Sequence, residues 1–369
     1  MFYKMKKVFL AHPTEPIEVW PGKKVNELTK EMLAIGFQGR KLAEVTEVWE
    51  RMIRRKKMVI WLGLAGAMVP AGMRKIISYL IKRRMIDVLV TTGANMYHDF
   101  CEAMGMKHYI GTHMIDDNKL RKHKVDRIYD VFADEEKFYK LDTIITNDFT
   151  LMLKDAYPYS SREVFYLLGK YLWKYGKEKD SILVSAYKNN IPVFCPAFGD
   201  SCIGFSIMLA NRRKKEKVVK IRGQTVTLKR RNIIVDALKD VHETSSIREK
   251  TKYSGVIYIG GGTPKNFIQQ TAVIASYQTR HDKSHNFAIQ ITTDMPEWGG
   301  LSGCTFEEAK SWGKESKSAK TATCYADATI ALPIVVQSLA DRFEKLRRNV
   351  PIFRWSGKKL KVEFQRMKL

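Results

Sequence analysis

The chain has 369 residues, of which 45% are hydrophobic and 28% are charged, and its formal net charge is +25. This composition allows a sizeable folded core and excludes a low-complexity chain. No apolar run approaches the roughly 18 residues of a membrane-spanning helix, and the N-terminus lacks the apolar core of a signal peptide. We therefore expect a cytoplasmic protein without a membrane segment.

The five cysteines are odd in number and never spaced as CxxC, which argues against a disulfide framework and a structural zinc site. The eight histidines form no HExxH-like pair, so we predict that no metal is bound. The positive charge suits either a polyanionic partner such as RNA or a solvated basic surface. We favour the surface and do not expect a nucleic-acid partner.

Residues 26–57 have apolar positions at helical intervals and predict a helix that Asn26 can cap. Short apolar segments follow, most of them leading into a glycine-bearing turn and then a helix. We expect strands at Met58–Leu64, Ile86–Val90, Pro192–Pro196, Gly255–Ile259, Phe287–Thr292 and Thr321–Tyr325, and a helix that starts at Ser181–Ser185 and ends near Asn190. This alternation predicts an α/β fold, namely a Rossmann-like, doubly wound, mostly parallel sheet with helices on both faces. Because no linker or repeat interrupts it, we expect residues 1–369 to form a single domain.

One segment carries much of the positive charge. Arg212–Arg231 has ten Lys or Arg residues against one Glu, and polar and apolar residues alternate in its middle. This pattern predicts a basic β-hairpin insert that turns at Gly223–Gln224. Such a hairpin is a candidate docking surface.

The turns after the strands should line one crevice, because ligands of parallel sheets bind beyond the carboxyl ends of the strands. Gly260–Lys265 (GGGTPK) suits a phosphate or a plain tight turn, and Thr91–Asn95 (TTGAN) suits phosphate or ribose contacts or an ordinary helix start. Asp200 and Asp327 suit a ribose hydroxyl or a helix cap. Several such turns together favour a dinucleotide.

Three ionisable side chains are candidates for chemistry. Lys314 follows Trp312 and Gly313, and burial beside an aromatic side chain lowers the pKa of a lysine and makes its amine nucleophilic. A solvated lysine fits the same spacing. His98 suits a proton carrier or a partly buried structural histidine, and Glu308 either neutralises a cationic substrate or faces solvent.

Five motifs occur in an order and spacing that resemble the deoxyhypusine synthase family: TTGAN, FGDSxIG, IGGGTPKNF, SGCTFEEAKSWGK and YADA. The resemblance runs from about Pro16 to about Phe343. Other segments, such as GLAGAMVPAGMRK and ITTDMPEWGGLSG, resemble the archaeal and bacterial deoxyhypusine synthase-like branch.

The resemblance implies an NAD-dependent aminobutyl transfer from spermidine, through an imine on Lys314, to a lysine of the hypusine-bearing translation factor. It implies that NAD is not consumed and that the protein is a homotetramer with active sites shared across a dimer interface. The implied NAD contacts are Gly66, Ala67, Met68, Val69, Pro70, Thr92, Gly93, Ala94, Asp200, Gly261, Thr293, Asp327 and Ala328. The implied polyamine pocket contains His98, Asn266, Ser302, Glu308 and Trp312.

The sequence departs from the eukaryotic family members at four pocket positions. Phe205 and Leu301 stand where those enzymes have aspartates, Asn266 replaces a catalytic histidine, and His98 replaces a glutamate. Loss of carboxylates should weaken binding of a tri-cationic amine, because a buried charge needs a partner. Two alternatives therefore stay open: a homospermidine synthase-like transfer to a small amine such as putrescine or agmatine, and a non-catalytic NAD-binding paralogue. The intact Lys314 and Trp312 argue against the paralogue.

Overall fold

The computed structural model describes residues 2–345, 347–357 and 359–368. Its strands are β1 (Met58–Leu64), β2 (Val88–Thr91), β3 (Tyr109–Ile110), β4 (Val125–Ile128), β5 (Val131–Asp134), β6 (Pro158–Tyr159), β7 (Val193–Phe194), β8 (Lys217–Ile221), β9 (Gln224–Leu228), β10 (Ile234–Val235), β11 (Tyr253–Ile259), β12 (His285–Thr292), β13 (Glu315–Tyr325), β14 (Arg347–Ser356) and β15 (Lys359–Lys368). Its helices are α1 (Phe2–Phe9), α2 (Val25–Glu31), α3 (Phe37–Arg54), α4 (Arg74–Lys82), α5 (Gly93–Ala103), α6 (Asp117–Lys122), α7 (Glu135–Asn147), α8 (Ser161–Tyr175), α9 (Ile182–Asn189), α10 (Cys202–Asn211), α11 (Ala237–Glu249), α12 (Gly262–Thr279), α13 (Phe306–Ser311) and α14 (Ala328–Arg342).

The central sheet has six strands in the order β13-β12-β11-β1-β2-β7, and every neighbouring pair is parallel. Successive side chains of a strand point to opposite faces. In β1, Ile60 and Leu62 pack into one hydrophobic cluster, whereas Val59 and Trp61 pack into a second. Helices cover both clusters, so the predicted α/β fold with a mostly parallel sheet is confirmed.

The six predicted strands fall on β1, β2, β7, β11, β12 and β13. The helix predicted to start at Ser181–Ser185 and to end near Asn190 is confirmed, because α9 spans Ile182–Asn189. The Ser181 side chain caps that helix by accepting the Val184 N–H at 3.0 Å. The buried Asp99 carboxylate accepts the N–H groups of Ile182 and Leu183, at 2.9 and 2.8 Å. Two caps therefore fix the start of this helix.

The helix predicted at residues 26–57 is two helices. α2 ends at Glu31, a short 3-10 turn follows, and α3 begins at Phe37. Ile35 and Gly36 have extended backbone and break the helical ladder between the two segments.

The basic hairpin forms as β8 and β9, but its turn is Arg222–Gly223 and not Gly223–Gln224, because Ile221 pairs with Gln224. Both turn residues have positive φ angles, +50° and +78°, as a two-residue hairpin turn requires. The Arg222 guanidinium lies 3.0 Å from the ring centroid of Tyr175 on α8. The tip of the hairpin is therefore docked on the body of the protein.

A second antiparallel hairpin, β14–β15, follows α14 and was not predicted. Arg348 on β14 is 2% exposed and donates to the Asp87 carboxylate at 2.6 Å and to the Met58 carbonyl at 3.1 Å. Phe353 and Leu360 of this hairpin belong to the second core cluster. The end of the chain thus completes the core below the amino ends of the central strands. Among the described residues, no helix has both the length and the apolar character needed to cross a membrane.

Candidate active site

The carboxyl ends of the parallel strands meet at one edge of the sheet, where the predicted cofactor turns lie. From the adjacent strands β1 and β11 the chain leaves in opposite directions, to β2 and to β12. A crevice opens at such a switch point. Asn95 braces it: its Nδ2 donates to the Gly66 carbonyl at 2.9 Å, and its Oδ1 accepts the Val69 N–H at 3.2 Å.

The glycines of these turns expose backbone to the crevice. Gly66, Gly260 and Gly262 have φ angles of +74°, +70° and +54°, which favour glycine. A Cβ added at Gly262 would meet no atom within 4 Å, so the backbone is open there. Neither α12, which begins at this glycine, nor α5, which begins at Gly93, has a side-chain N-cap. The Gly262 N–H is bonded to Ser302 and Pro264 has no N–H, so Thr263 on α12 and Ala94 on α5 carry the N–H groups that fit the pyrophosphate of NAD.

Two aspartates that follow strands have different surroundings. Asp200 is exposed, and no described residue hydrogen-bonds its carboxylate, so it is free to bind a ribose hydroxyl. Asp327 caps α14 and accepts the Thr329 N–H at 2.7 Å. Of the remaining predicted cofactor contacts, Thr293 is exposed just beyond β12, and Ala328 is the first residue of α14.

Lys314 is the residue that directly precedes β13. Its side chain nevertheless reaches α12, where Nζ donates to the Asn266 Oδ1 at 3.0 Å. Lys314 is 8% exposed, whereas Trp312, whose ring centroid lies 5.8 Å from Nζ, is 66% exposed. The tryptophan therefore borders the lysine from the solvent side, and the lysine is buried mainly by the protein body.

A second lysine, Lys265, is fully buried nearby and was missed in the sequence. Its Nζ donates to Gln290 Oε1 at 2.9 Å and to the carbonyls of Cys304 and Ser302, at 2.5 and 3.3 Å. Burial lowers the pKa of Lys265 to about 8. Its position at the end of GGGTPK, one residue before Asn266, is the signal that could have drawn attention to it.

Lys265 and Ser302 fasten the loop before α13 to the glycine turn. The Ser302 Oγ accepts the Gly262 N–H at 3.0 Å. A Cβ added at Gly261 would lie only 2.5 Å from the Ser302 Cα, so the glycine lets the two segments touch. The crevice turn and the segment that carries Lys314 are therefore held together.

Two glutamates near Lys314 differ in exposure. Glu315 is 2% exposed, and burial raises its pKa to about 7, although a hydrogen bond from Gln269 at 3.0 Å opposes the rise. Glu308 is exposed on α13, and its carboxylate is accessible to a cationic ligand. Of the two, Glu308 is the side chain that can meet a substrate from solvent.

The residues that replace family carboxylates are partly open to solvent. Phe205 is 48% exposed and Leu301 is 43% exposed. Leu301 lines a groove of about 450 Å³ together with Asn266 and Phe267 of α12. His98 lies further along α5, where its Nδ1 is 3.0 Å from the Nε2 of His108. Within the described chain, no three His, Cys, Asp or Glu side chains are grouped as metal ligands.

Comparison with known proteins agrees with this architecture. A family model described as deoxyhypusine synthase matches residues 27–339. The chain is 50% identical to "Probable deoxyhypusine synthase 2" of Methanosarcina mazei over 95% of this chain and 96% of the relative. It is 44% identical to the protein of that name in Archaeoglobus fulgidus, over 87% of this chain and 99% of the relative. It is also 35% identical to the "Deoxyhypusine synthase-like protein" of Chlorobaculum tepidum, over 89% of this chain and 90% of the relative.

The fold has a counterpart among solved structures. A crystal structure assigned to deoxyhypusine synthase from Entamoeba histolytica superposes with a TM-score of 0.58 at 18% identity, covering 87% of this chain and 96% of the other. The sequence matches extend over most of the chain and over nearly the whole length of these relatives. The chain therefore belongs to the deoxyhypusine synthase family of transferases.

Proposed function

We propose that this protein is a deoxyhypusine synthase that uses NAD to transfer an aminobutyl group from spermidine to a lysine of the hypusine-bearing translation factor. The observation that carries the proposal is the environment of Lys314. Its amine is buried and donates to a neutral oxygen of Asn266 at 3.0 Å. Among the described residues, no carboxylate forms an ion pair with it. A lysine without a paired anion can lose its proton and act as a nucleophile.

The other residues have defined parts in this proposal. Lys314 attacks the imine carbon of the donor, 1,3-diaminopropane leaves, and Lys314 carries the aminobutyl group as an imine, while Glu308 binds a cationic end of the polyamine. When bound, NAD would supply hydride-transfer chemistry, which oxidation of the donor to an imine and reduction of the final imine require. The N–H groups of Ala94 and Thr263, in the first turns of α5 and α12, would hold its pyrophosphate, and Asp200 would hold a ribose.

The assembly in this proposal is a homotetramer of single-domain chains in the cytoplasm, with active sites shared across a dimer interface. Exposed apolar side chains at the site support sharing, because a partner chain would cover them. The side chains in question are Trp312, Leu301 and Phe205, which are 66%, 43% and 48% exposed.

A homospermidine synthase-like transfer to putrescine or agmatine is the alternative. Phe205 and Leu301 favour it, because an apolar pocket suits an amine with fewer charges than spermidine. A non-catalytic NAD-binding paralogue is the remaining reading, and the buried Lys314 argues against it.

The test combines purified protein, NAD and spermidine labelled in its butyl part, with and without the translation factor. We expect label on the factor with wild type and none with Lys314→Arg. Lys310→Arg is the matched control, because Lys310 lies on α13 and pairs with Glu307 at 3.5 Å. Label only in small polyamines would establish the alternative acceptor. Absence of turnover despite NAD binding would refute both transfers.

A further inference from the structure

A line of hydrogen bonds connects His98 and Glu102 of α5 with His108, which follows that helix, and with Arg74 of α4. The Nδ1 of His98 lies 3.0 Å from the Nε2 of His108, and the Nδ1 of His108 lies 2.8 Å from Glu102 Oε1. The other carboxylate oxygen, Oε2, pairs with the Nε of Arg74 at 2.7 Å. Imidazole, imidazole, carboxylate and guanidinium thus form one continuous network.

The network begins near the crevice and runs into the protein. Ala94, His98 and Glu102 are spaced four residues apart and share one face of α5. Ala94 is exposed at the crevice end, whereas the Glu102 side chain is 17% exposed. Arg74 is the first residue of α4, directly after the turn at residues 66–73. The network therefore links the turns that follow β1 and β2.

The carboxylate fixes the protons along the network. Glu102 can only accept, so the Nδ1 of His108 carries the proton and its Nε2 accepts from the Nδ1 of His98. The Nε2 of His98 then keeps a free electron pair, and no described residue bonds to it. Burial, and then the nearby His108, lowers the pKa of His98 to about 4, so that its imidazole is neutral near pH 7.

The other polar side chains around His98 are bonded to other groups and do not accept or donate its proton. α7 presents the ring of Phe138, whose centroid is 5.7 Å from that of His98. Asp142, also on α7, is bonded by the Tyr97 hydroxyl at 2.7 Å. The carboxylate of Asp99 is engaged by two backbone N–H groups of α9. The groups that influence the protonation of His98 are therefore mainly the His108 imidazole and the Glu102 carboxylate bonded to it.

We infer that His98 takes the proton from a cationic amine of the substrate, and that His108 and Glu102 carry this proton away from the crevice. An N–H bond of the ammonium breaks, and its proton binds the Nε2 of His98. The Nδ1 proton of His98 moves to the Nε2 of His108, whose Nδ1 proton moves onto Glu102. The amine keeps its electron pair and no oxidation occurs. The inference rests on the proposed amine chemistry; His98 is then a catalytic residue, and the other two are positioning residues.

Two substitutions should shift the protonation of His98 in opposite directions. Glu102→Gln keeps an acceptor for His108 but removes the negative charge, so His98 should protonate less readily. Arg74→Gln removes the cation that competes for this carboxylate, so His98 should protonate more readily. We expect the pH midpoint of His98 protonation to fall by about one unit in Glu102→Gln and to rise by about one unit in Arg74→Gln. Each shift corresponds to about 1.4 kcal/mol.

The measurement is the rate at which diethyl pyrocarbonate modifies His98, followed by mass spectrometry between about pH 4 and about pH 8 without NAD. His123 is the internal control: it is exposed, and its Nδ1 contacts only the Lys119 carbonyl of its own helical turn, at 2.8 Å. Added spermidine should protect His98 and leave His123 reactive.

Equal midpoints in wild type and both variants, or a His98 that spermidine does not protect, would overturn the relay. The readout requires no group transfer, so it is independent of the labelled-spermidine assay. Opposite midpoint shifts with spermidine protection in a protein that transfers no aminobutyl group would support the relay and refute the proposed function.

Discussion

Replacing Asn266 by Asp is the sharpest perturbation of the proposed nucleophile. The two side chains have nearly the same shape, so Asn266→Asp places a carboxylate oxygen where the amide oxygen now lies, 3.0 Å from the Lys314 Nζ. At this distance an effective dielectric constant of about 20 to 40 gives an attraction of about 3 to 5 kcal/mol. This attraction would hold the Lys314 side chain in an ion pair and should weaken it as a nucleophile by about 10² to 10⁴-fold.

The assay is a single turnover with NAD and spermidine, followed by borohydride trapping of the imine on Lys314 and mass spectrometry. We expect trapping in Asn266→Asp to slow by about 100-fold or more, while NAD affinity stays unchanged. Asn266→Ser, which keeps a neutral polar group, is the control and should slow far less. If the aspartate variant traps the imine at the wild-type rate, the protonation state of Lys314 does not limit the reaction and the reasoning is refuted.

Three further predictions concern buried or exposed charges. The pKa of Lys265 is about 8 in the folded protein and about 10.5 in the unfolded chain. Between these pH values the unfolded chain binds one more proton than the folded protein, so the free energy of unfolding rises with pH by about 3 kcal/mol. Urea unfolding should show this rise in wild type and not in Lys265→Met. Asp87 is fully buried between Arg348 and Arg84, at 2.6 and 3.4 Å, so Asp87→Asn should lower the free energy of unfolding by about 3 to 5 kcal/mol, and an unchanged urea midpoint would contradict this. Asp200→Asn should weaken NAD binding by about tenfold in calorimetry, or about 1.4 kcal/mol, whereas equal affinities would remove Asp200 from the cofactor site.

The central sheet was predictable because its strands are buried on both faces. Met58–Leu64 and Gly255–Ile259 are continuous apolar runs, each followed by a glycine turn, and both are strands. The helix that starts at Ser181–Ser185 shows the limit of this signal. A short apolar run fits a strand or a helix equally, and the deciding caps at Ser181 and Asp99 include one from a distant part of the sequence.

Site residues that belong to local sequence motifs could be predicted, whereas contacts between residues far apart in the sequence could not. Lys314 was singled out from its neighbours, but its partner Asn266 is 48 residues away. The acceptors of Lys265 come from β12 and from the loop before α13, so nothing in its own segment indicates burial. His108 was overlooked for the same reason, because its pairing with His98 depends on how the chain returns after α5.

The β14–β15 hairpin has a consequence for how the chain acquires its structure during synthesis. Asp87 and the Met58 carbonyl belong to the first strands made, yet their partner Arg348 lies near the end of the chain. Phe353 and Leu360 fill a core whose other members are already present on the central strands. While the last segment is inside the ribosome, a buried carboxylate lacks its guanidinium and one face of the sheet lacks its cover. The core is therefore completed only after the β14–β15 hairpin has left the ribosome, and we expect a chain truncated before Arg348 to have an incomplete core.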